Sequence, residues 1–160
     1  MDIRMIDVGG KPVTGRAASA CGRIHMSAAA RKALLSGKLP KGDALAAARV
    51  AGILAAKRTS DIIPLCHPLP LDSVEIRLFP APGGLGVEAA VRCSGKTGVE
   101  MEALTAVCAA CLTVYDMTKS VDPAMTIGPV YLREKKGGRS GHFLRTDTPG
   151  LAPRPRIARE

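Results

Sequence analysis

The sequence predicts an α+β fold, and three observations support this expectation. Several segments alternate apolar with polar residues, a two-residue period that is typical of β-strands. Other segments carry apolar residues at helical spacing and begin after residues that cap helices well. Along the 160 residues, these segments follow the order β-α-β-β-α-β, in which the first α stands for two consecutive helices.

The first strand and the two helices after it occupy the N-terminal third of the chain. Residues 13–26 are rich in small and β-compatible side chains and predict the first strand. Ser27 is a suitable N-cap for a short Ala-rich helix that ends near residue 36. A glycine-bounded break follows, and Asp43 can cap a second helix over residues 44–57.

A proline-rich turn and a hairpin come next. Residues 64–70 hold three prolines in seven positions, which rules out a helix and favours a stiff, extended turn. Apolar residues then alternate with polar ones over 73–78 and again over 85–93, on either side of the turn-forming segment 80–84. We expect two antiparallel strands joined as a hairpin.

The longest predicted helix covers residues 99–120, and a final strand covers 125–135. This order is that of the ferredoxin-like sandwich, a four-stranded antiparallel sheet covered by helices on one face. We expect a single domain over residues 1–145. Residues 146–160, with three prolines among alternating arginines, predict a flexible C-terminal tail.

Composition narrows the class of function. The net charge of +9 favours an anionic partner, but two Tyr, two Phe and no Trp offer little for stacking exposed bases. A phosphorylated small molecule is therefore a better candidate than single-stranded nucleic acid. The five cysteines, an odd number without a recognisable secretion signal, are expected to be reduced thiols in a cytoplasmic protein with no membrane span.

Two motif-like segments do not support the functions that they superficially suggest. Residues 94–98 resemble the end of a phosphate-binding P-loop. The motif requires a further glycine at position 90, but that position is occupied by Ala90 and falls inside a predicted strand. These residues predict a turn from strand to helix. Cys108 and Cys111 have C-x-x-C spacing but no second pair of ligands, so packing explains them better than zinc does.

The long helix carries its charges at its two ends. Glu100 and Glu102 lie at its start, and Asp116 and Lys119 at its finish. The helix dipole and a surface ion pair are the ordinary explanations for such residues. Glu102 and Asp116 are fourteen residues apart, which leaves them about 40° apart around the helix but about 21 Å apart along it. A shared site therefore requires two such helices, antiparallel across a two-fold axis.

Histidine and basic residues supply further candidates. His67 is held between Cys66 and Pro68 in the proline-rich turn, where a neutral-pH proton carrier has little freedom, although a lone histidine is often structural. Basic residues mostly solvate a surface, but lysine and arginine beside glycine can neutralise a phosphate that backbone donors approach. The basic candidates include Arg16, Lys41, Lys57 and Lys135.

Residues 55–69, 95–105 and 115–119 together resemble the hallmark segments of the MoaC family of cyclic pyranopterin monophosphate synthases, and the resemblance extends over about residues 5–143. The resemblance implies a ferredoxin-like subunit in a homohexamer built as a trimer of dimers, with active sites at the dimer interface. It implies conversion of 3′,8-cyclo-7,8-dihydro-GTP into cyclic pyranopterin monophosphate, with release of pyrophosphate. The resemblance also implies that a radical-SAM partner enzyme supplies this substrate, and it implies no organic cofactor.

The same resemblance assigns roles to matching residues. Asp116 corresponds to the principal acid/base, Lys119 to the residue that pairs with it, and Lys41 to a candidate general acid. Matching substrate-binding positions are Leu65, Cys66, His67, Glu100, Met101, Glu102, Arg16, Lys57 and Lys135. The chain departs from the family at Arg139, where lysine is common, and in its extended tail. The sequence leaves open a role for Mg²⁺ and the order of proton transfers.

Two other functions compete with this interpretation. The charge and the fold are compatible with a small nucleotide- or nucleic-acid-binding module, although aromatic residues on the strands are missing. A redox or metal protein based on Cys108 and Cys111 is a more distant alternative.

Overall fold

The computed structural model describes residues 2–139 and 141–147, so the predicted tail from residue 148 onward lies outside the described part of the chain. Five strands and four helices are assigned within these ranges. In chain order, they are β1 (Thr14–His25), α1 (Ala28–Leu35), α2 (Ala44–Lys57), α3 (Thr59–Ile62), β2 (Leu71–Ala81), β3 (Gly84–Gly95), α4 (Glu100–Thr118), β4 (Thr126–Lys136) and β5 (Phe143–Leu144).

The strands form one antiparallel sheet in the order β2-β3-β1-β4-β5. The prediction of an α+β fold with an antiparallel sheet is confirmed. The predicted count of four strands was wrong, because β5 adds two residues at the edge, where Leu144 pairs with Glu134 and Phe143 with Lys135. A strand of two residues is too short to show an alternating residue pattern, so it is defined only by its pairing with β4.

The predicted start points of both N-terminal helices are confirmed, because their capping side chains make the expected hydrogen bonds. The Ser27 hydroxyl accepts from the backbone N–H of Ala30 at 3.2 Å. The Asp43 carboxylate accepts from the N–H groups of Leu45 and Ala46 at 3.0 and 2.9 Å. The short helix α3 was not predicted, since one turn before Pro64 has no apolar period to reveal it.

Helix α4 is the central element of the core. It packs against β1, β3 and β4, while α2 packs against both α4 and β2. Two glycines permit this close approach: an added Cβ at Gly22 of β1 would collide with Val107, and one at Gly52 of α2 would lie 3.1 Å from the Ala106 carbonyl oxygen. Tight packing at the middle of α4 therefore fixes the position of the helix, whose two ends carry candidate site residues.

Helix α4 also has the length and hydropathy of a membrane span, and it is the one such helix in the ranges described here. Half of its apolar window is buried within the protein, as in the core helix of a globular domain. All five cysteines are free. Cys111 lies in the core as predicted, whereas Cys108 is exposed, so packing within the subunit does not explain that residue.

Candidate active site

The three residues expected to perform acid/base chemistry lie together at the C-terminal end of α4. Lys41, in the loop before α2, donates a hydrogen bond to Asp116 Oδ2 at 2.6 Å. Lys119 Nζ lies 2.8 Å from the other carboxylate oxygen, Oδ1. About half of each side chain is exposed. Helix α2 packs antiparallel to α4, since Gly52 lies beside Ala106 while Lys41, before α2, lies beside Asp116.

The two lysines determine the protonation of this cluster. Hydrogen bonds from Lys119 and then Lys41 lower the pKa of Asp116 from its ordinary 3.8 to about 2. The hydrogen bond that Lys119 donates to Asp116 in turn raises the pKa of Lys119. The carboxylate is therefore ionised at neutral pH and accepts a proton only weakly while both ammonium groups hold it. An anionic ligand that drew these lysines away would make Asp116 a stronger base.

A first cavity, of about 410 Å³, lies at the opposite end of α4. Its volume is within the range of small-molecule sites. The cavity combines the proline-rich turn, the first turn of α4 and the N-terminal segment. The predicted substrate-binding residues that line it are Leu65, Cys66, His67, Glu100, Met101 and Glu102. We refer to it as the turn cavity.

The proline-rich turn follows α3 and forms one wall of the turn cavity, and its residues 64–70 form no helix, as predicted. A hydrogen bond of 3.0 Å from the Cys66 N–H to the Ile63 carbonyl closes the turn. His67 is partly buried there. Burial raises the pKa of the Cys66 thiol, and the nearby negative charge of Glu102 raises it further, so this thiol stays protonated at neutral pH.

Glu102 is the most unusual group in the turn cavity, because its residue is only 4% exposed. Burial raises the pKa of its carboxyl. Its own backbone N–H acts in the opposite direction, and the charge of Glu100 adds to the rise. A buried carboxyl with a raised pKa keeps its proton to higher pH than an exposed one does, a property found in acid/base groups and ligand-binding acids.

A second cavity, of about 680 Å³, is lined by six basic residues and is called the basic cavity here. It adjoins the turn cavity, because Lys11, Thr97, Gly98 and Glu100 line both. The glycine-rich end of β4 forms part of its wall. The six basic residues are Lys11, Arg16, Lys96, Lys135, Lys136 and Arg139. Such a cavity can hold an anionic group beside a ligand in the turn cavity.

Arg16 is built into the wall of the basic cavity. Its Nε and Nη2 donate to the carbonyl oxygens of Gly95 and Lys96 at 3.2 and 3.3 Å. Gly138, with φ of +74°, comes so close that a Cβ there would collide with the guanidinium. Two of the donors of Arg16 are thus used by backbone carbonyls, and the residue connects the ends of β3 and β4.

The other basic candidates have different surroundings. Lys135 Nζ lies 3.4 Å from Glu100 Oε1, so a carboxylate already balances its charge. Lys57 is exposed in the last turn of α2 and lines neither cavity. Arg4, Lys11 and Lys96 line the cavities but were not among the predicted site residues. Lys96 had a sequence signal in its glycine-rich turn, whereas the irregular segment carrying Arg4 and Lys11 had none.

The fold explains the segment that resembles a P-loop. Ala90 lies within β3, and residues 96–99 form the turn into α4, as predicted. Among the described residues, no group of three or more His, Cys, Asp or Glu side chains is placed to hold a metal ion. The candidate functional regions among the described residues are the Asp116 cluster and the pair of adjoining cavities.

Together these features define a small α+β protein with an acid/base cluster and with cavities suited to an anionic small molecule. Residues 5–138 match the MoaC family, and the chain belongs to that family. It is similar to the cyclic pyranopterin monophosphate synthases of Chloroflexus aggregans and Herpetosiphon aurantiacus, with 55% and 56% identity over 91% of this chain and 89% and 90% of theirs. The synthase of Desulfitobacterium hafniense is 50% identical over 90% of this chain and 89% of its own.

Proposed function

We propose that this chain is a cyclic pyranopterin monophosphate synthase. It converts 3′,8-cyclo-7,8-dihydro-GTP into cyclic pyranopterin monophosphate with release of pyrophosphate, the second step of molybdenum cofactor biosynthesis. The observation that carries the proposal is the 55% identity to a synthase over 91% of this chain. The acid/base cluster and the two adjoining cavities support it independently.

The division of the cavities suits such a substrate. The turn cavity offers carboxyl, thiol, imidazole and thioether groups for a heterocycle, and the basic cavity offers ammonium and guanidinium groups for a triphosphate. In the closing step, a substrate hydroxyl oxygen bonds to the α-phosphorus. The bond between this phosphorus and the oxygen bridging to the β-phosphate breaks, pyrophosphate leaves, and the hydroxyl proton passes to a base.

Asp116 is the acid/base group in this proposal. Its pKa of about 2 describes the chain with both lysines bound to the carboxylate. Substrate phosphates compete for the ammonium groups of Lys41 and Lys119, and each lysine withdrawn raises the proton affinity of Asp116. Lys119 thus adjusts the strength of the base, and Lys41 donates a proton as a general acid.

The active site is completed by a second subunit in this proposal, because Asp116 lies fourteen residues beyond Glu102 on α4, or about 21 Å along the helix. Antiparallel pairing of two α4 helices across a two-fold axis joins the Asp116 cluster of one subunit to the cavities of the other. Exposed Met101 and Leu112 on α4, at 38% and 60%, give such a pairing apolar area to bury. Lys57, outside the cavities of its own chain, can contribute from such a neighbour.

The domain, assembly and cellular location proposed for this chain are those of its family. We propose a ferredoxin-like domain over residues 1–145, assembled into a homohexamer from dimers, with β5 as an addition to its edge. The protein acts in the cytoplasm and receives its substrate from a radical-SAM enzyme. Measuring the activity at increasing Mg²⁺ concentrations tests whether the reaction requires this ion.

Turnover of the cyclised substrate tests the proposal. Purified chain is incubated with 3′,8-cyclo-7,8-dihydro-GTP, and pyrophosphate and the pterin product are measured together. Equal amounts of both products are expected, and Asp116→Asn provides the inactive control. Pyrophosphate release without pterin, or no reaction from a folded protein, contradicts the assignment.

A further inference from the structure

The segment before β1 lies across both cavities although it forms neither helix nor strand. We call residues 4–12 the N-terminal strap. Arg4, Ile6 and Val8 line the turn cavity, and Pro12 lines the basic cavity. Lys11 lines both, at their common boundary. The strap is therefore part of the wall of the proposed substrate site.

A compact turn shapes the middle of the strap. The backbone N–H of Lys11 donates to the Val8 carbonyl at 3.1 Å, and the N–H of Gly9 donates to Asp7 Oδ1 at 2.7 Å. These bonds are local to the strap, so they shape it but do not attach it to the domain. The attachment comes from Lys96, whose Nζ donates to the Gly9 carbonyl at 2.7 Å across 87 positions.

Lys96 is itself held in place from the other side. The residue lies in the turn between β3 and α4, and Arg16 donates to the carbonyl oxygens of Gly95 and Lys96. The chain of contacts runs from β1 through Arg16 to this turn, and from the turn through Lys96 to the strap. A hydrogen bond from a charged donor is stronger than one between neutral groups, so this contact restrains the strap.

Lys11 is placed differently from Lys96. Its residue is exposed, and no carboxylate of the described residues lies within 4.0 Å of its ammonium, whereas Lys135 already pairs with Glu100. The Lys96 ammonium is directed at a strap carbonyl, and the Lys11 ammonium is available where the two cavities meet.

We propose that Lys96 is a positioning residue, which fixes the N-terminal strap so that Lys11 binds the anionic part of the ligand at the boundary between the cavities. The identity of that ligand, the triphosphate of the cyclised substrate, rests on the function proposed above. The strap geometry does not depend on it. Lys96 acts on the ligand through Lys11, and Lys11 is the binding residue.

The experiment compares Lys96→Met, Lys11→Met, the double variant and Lys96→Arg. Lys32→Met, an exposed lysine of α1 outside both cavities, is the matched control. Two quantities are measured in the full-length protein: KM and kcat for the cyclised substrate, and the rate at which trypsin cuts after Arg4. The second measurement reports attachment of the strap and does not require activity. Circular dichroism establishes that each variant is folded.

Lys96→Met is expected to raise KM about ten-fold with little change in kcat, and to speed cleavage after Arg4 by a similar factor. Lys11→Met is expected to raise KM without altering cleavage. The double variant should have the KM of Lys11→Met, because the two residues act in series. Lys96→Arg, which retains a charged donor, should restore most of both properties.

Two results would overturn the proposal. A raised KM without faster cleavage in Lys96→Met would mean that Lys96 contacts the ligand directly. If the double variant raised KM by the product of the two single-variant factors, the two residues would act independently. If the wild-type chain turns over no cyclised GTP, the proposed function fails by itself, and the cleavage rates still decide whether Lys96 attaches the strap.

Discussion

The Asp116 carboxylate accepts a 2.6 Å hydrogen bond from Lys41, a residue 75 positions earlier in the chain. The Lys41 ammonium also lies 3.4 Å from the Asp116 backbone carbonyl oxygen, at the end of α4. Lys41 thus neutralises the carboxylate and holds the helix end, where free carbonyl groups attract a cation. The contact depends on α2 and α4 packing antiparallel, so the fold assembles a cluster that adjacent residues could not form.

This cluster predicts a loss of catalysis without a loss of structure. Asp116→Asn and Lys119→Ala should each form folded protein but reduce kcat at saturating substrate at least about 100-fold, the usual contribution of a positioned acid/base group. Both residues are about half exposed, so their replacement leaves the core unchanged. Stopped assays of pyrophosphate release give the rates. Glu75→Gln, an exposed carboxylate on β2, is the control. Wild-type rates in both variants would exclude them from the mechanism.

The basic residues should differ in their effects on binding. Lys135→Ala, in the wall of the basic cavity, should weaken binding of pyrophosphate or GTP several-fold and reduce its dependence on salt, because one fewer cation faces the anion. Lys57→Ala should have a smaller effect on binding, since Lys57 lies outside both cavities of its own chain. Calorimetric titrations at several salt concentrations measure both. Equal losses would indicate that Lys57 reaches the ligand from a neighbouring subunit.

Buried Glu102 predicts a conflict between stability and function. Its pKa is raised above the ordinary 4.5, so the folded chain retains its proton to higher pH than the unfolded chain does. The resulting penalty is absent below the unfolded pKa, grows as pH rises through the folded pKa, and is complete above it. Glu102→Gln should therefore raise Tm at pH 7, by about 2–4 °C for each kcal/mol removed, and the gain should vanish near pH 4.

Thermal unfolding of wild type and Glu102→Gln across this pH range tests the prediction. Glu100→Gln is the comparison, because that carboxyl is more exposed and pairs with Lys135. A gain in Tm that did not change with pH would have a cause other than ionisation of Glu102. Loss of turnover in the stabilised variant would show that the charge is retained for function.

The sequence predicted those parts of the fold that local chemistry determines. Ser27 and Asp43 capped the helices as expected, because a cap is specified within four residues. Strand β5 and helix α3 were missed, because one forms by pairing with β4 and the other is a single turn. For the candidate site, the resemblance supplied Lys41, but the contact that joins it to Asp116 requires the packing of two helices. Lys11 and Lys96 were missed because the residue pattern does not show that the irregular N-terminal segment folds against the turn between β3 and α4.

The last prediction concerns the division of the site between two subunits. Glu102 and Asp116 lie fourteen residues apart on α4, or about 21 Å along the helix, so one small ligand does not reach both in a single chain. A Glu102→Ala subunit and an Asp116→Asn subunit, each inactive alone, are mixed under conditions that allow subunits to exchange. Each mixed dimer then carries both lesions in one site and none in the other.

Random exchange makes half of the dimers mixed, so activity should return to about a quarter of the wild-type value. Different affinity tags on the two subunits allow the mixed dimers to be isolated, and these should reach about half of the wild-type activity per dimer. A mixture of Asp116→Asn with Lys119→Ala is the matched control. Those two side chains contact each other within one subunit, so a single subunit supplies both of them to a site. Each site of this mixed dimer therefore contains one substitution, and no intact site forms. Inactive dimers that demonstrably contain both Glu102→Ala and Asp116→Asn subunits would show that the site is not shared in this way.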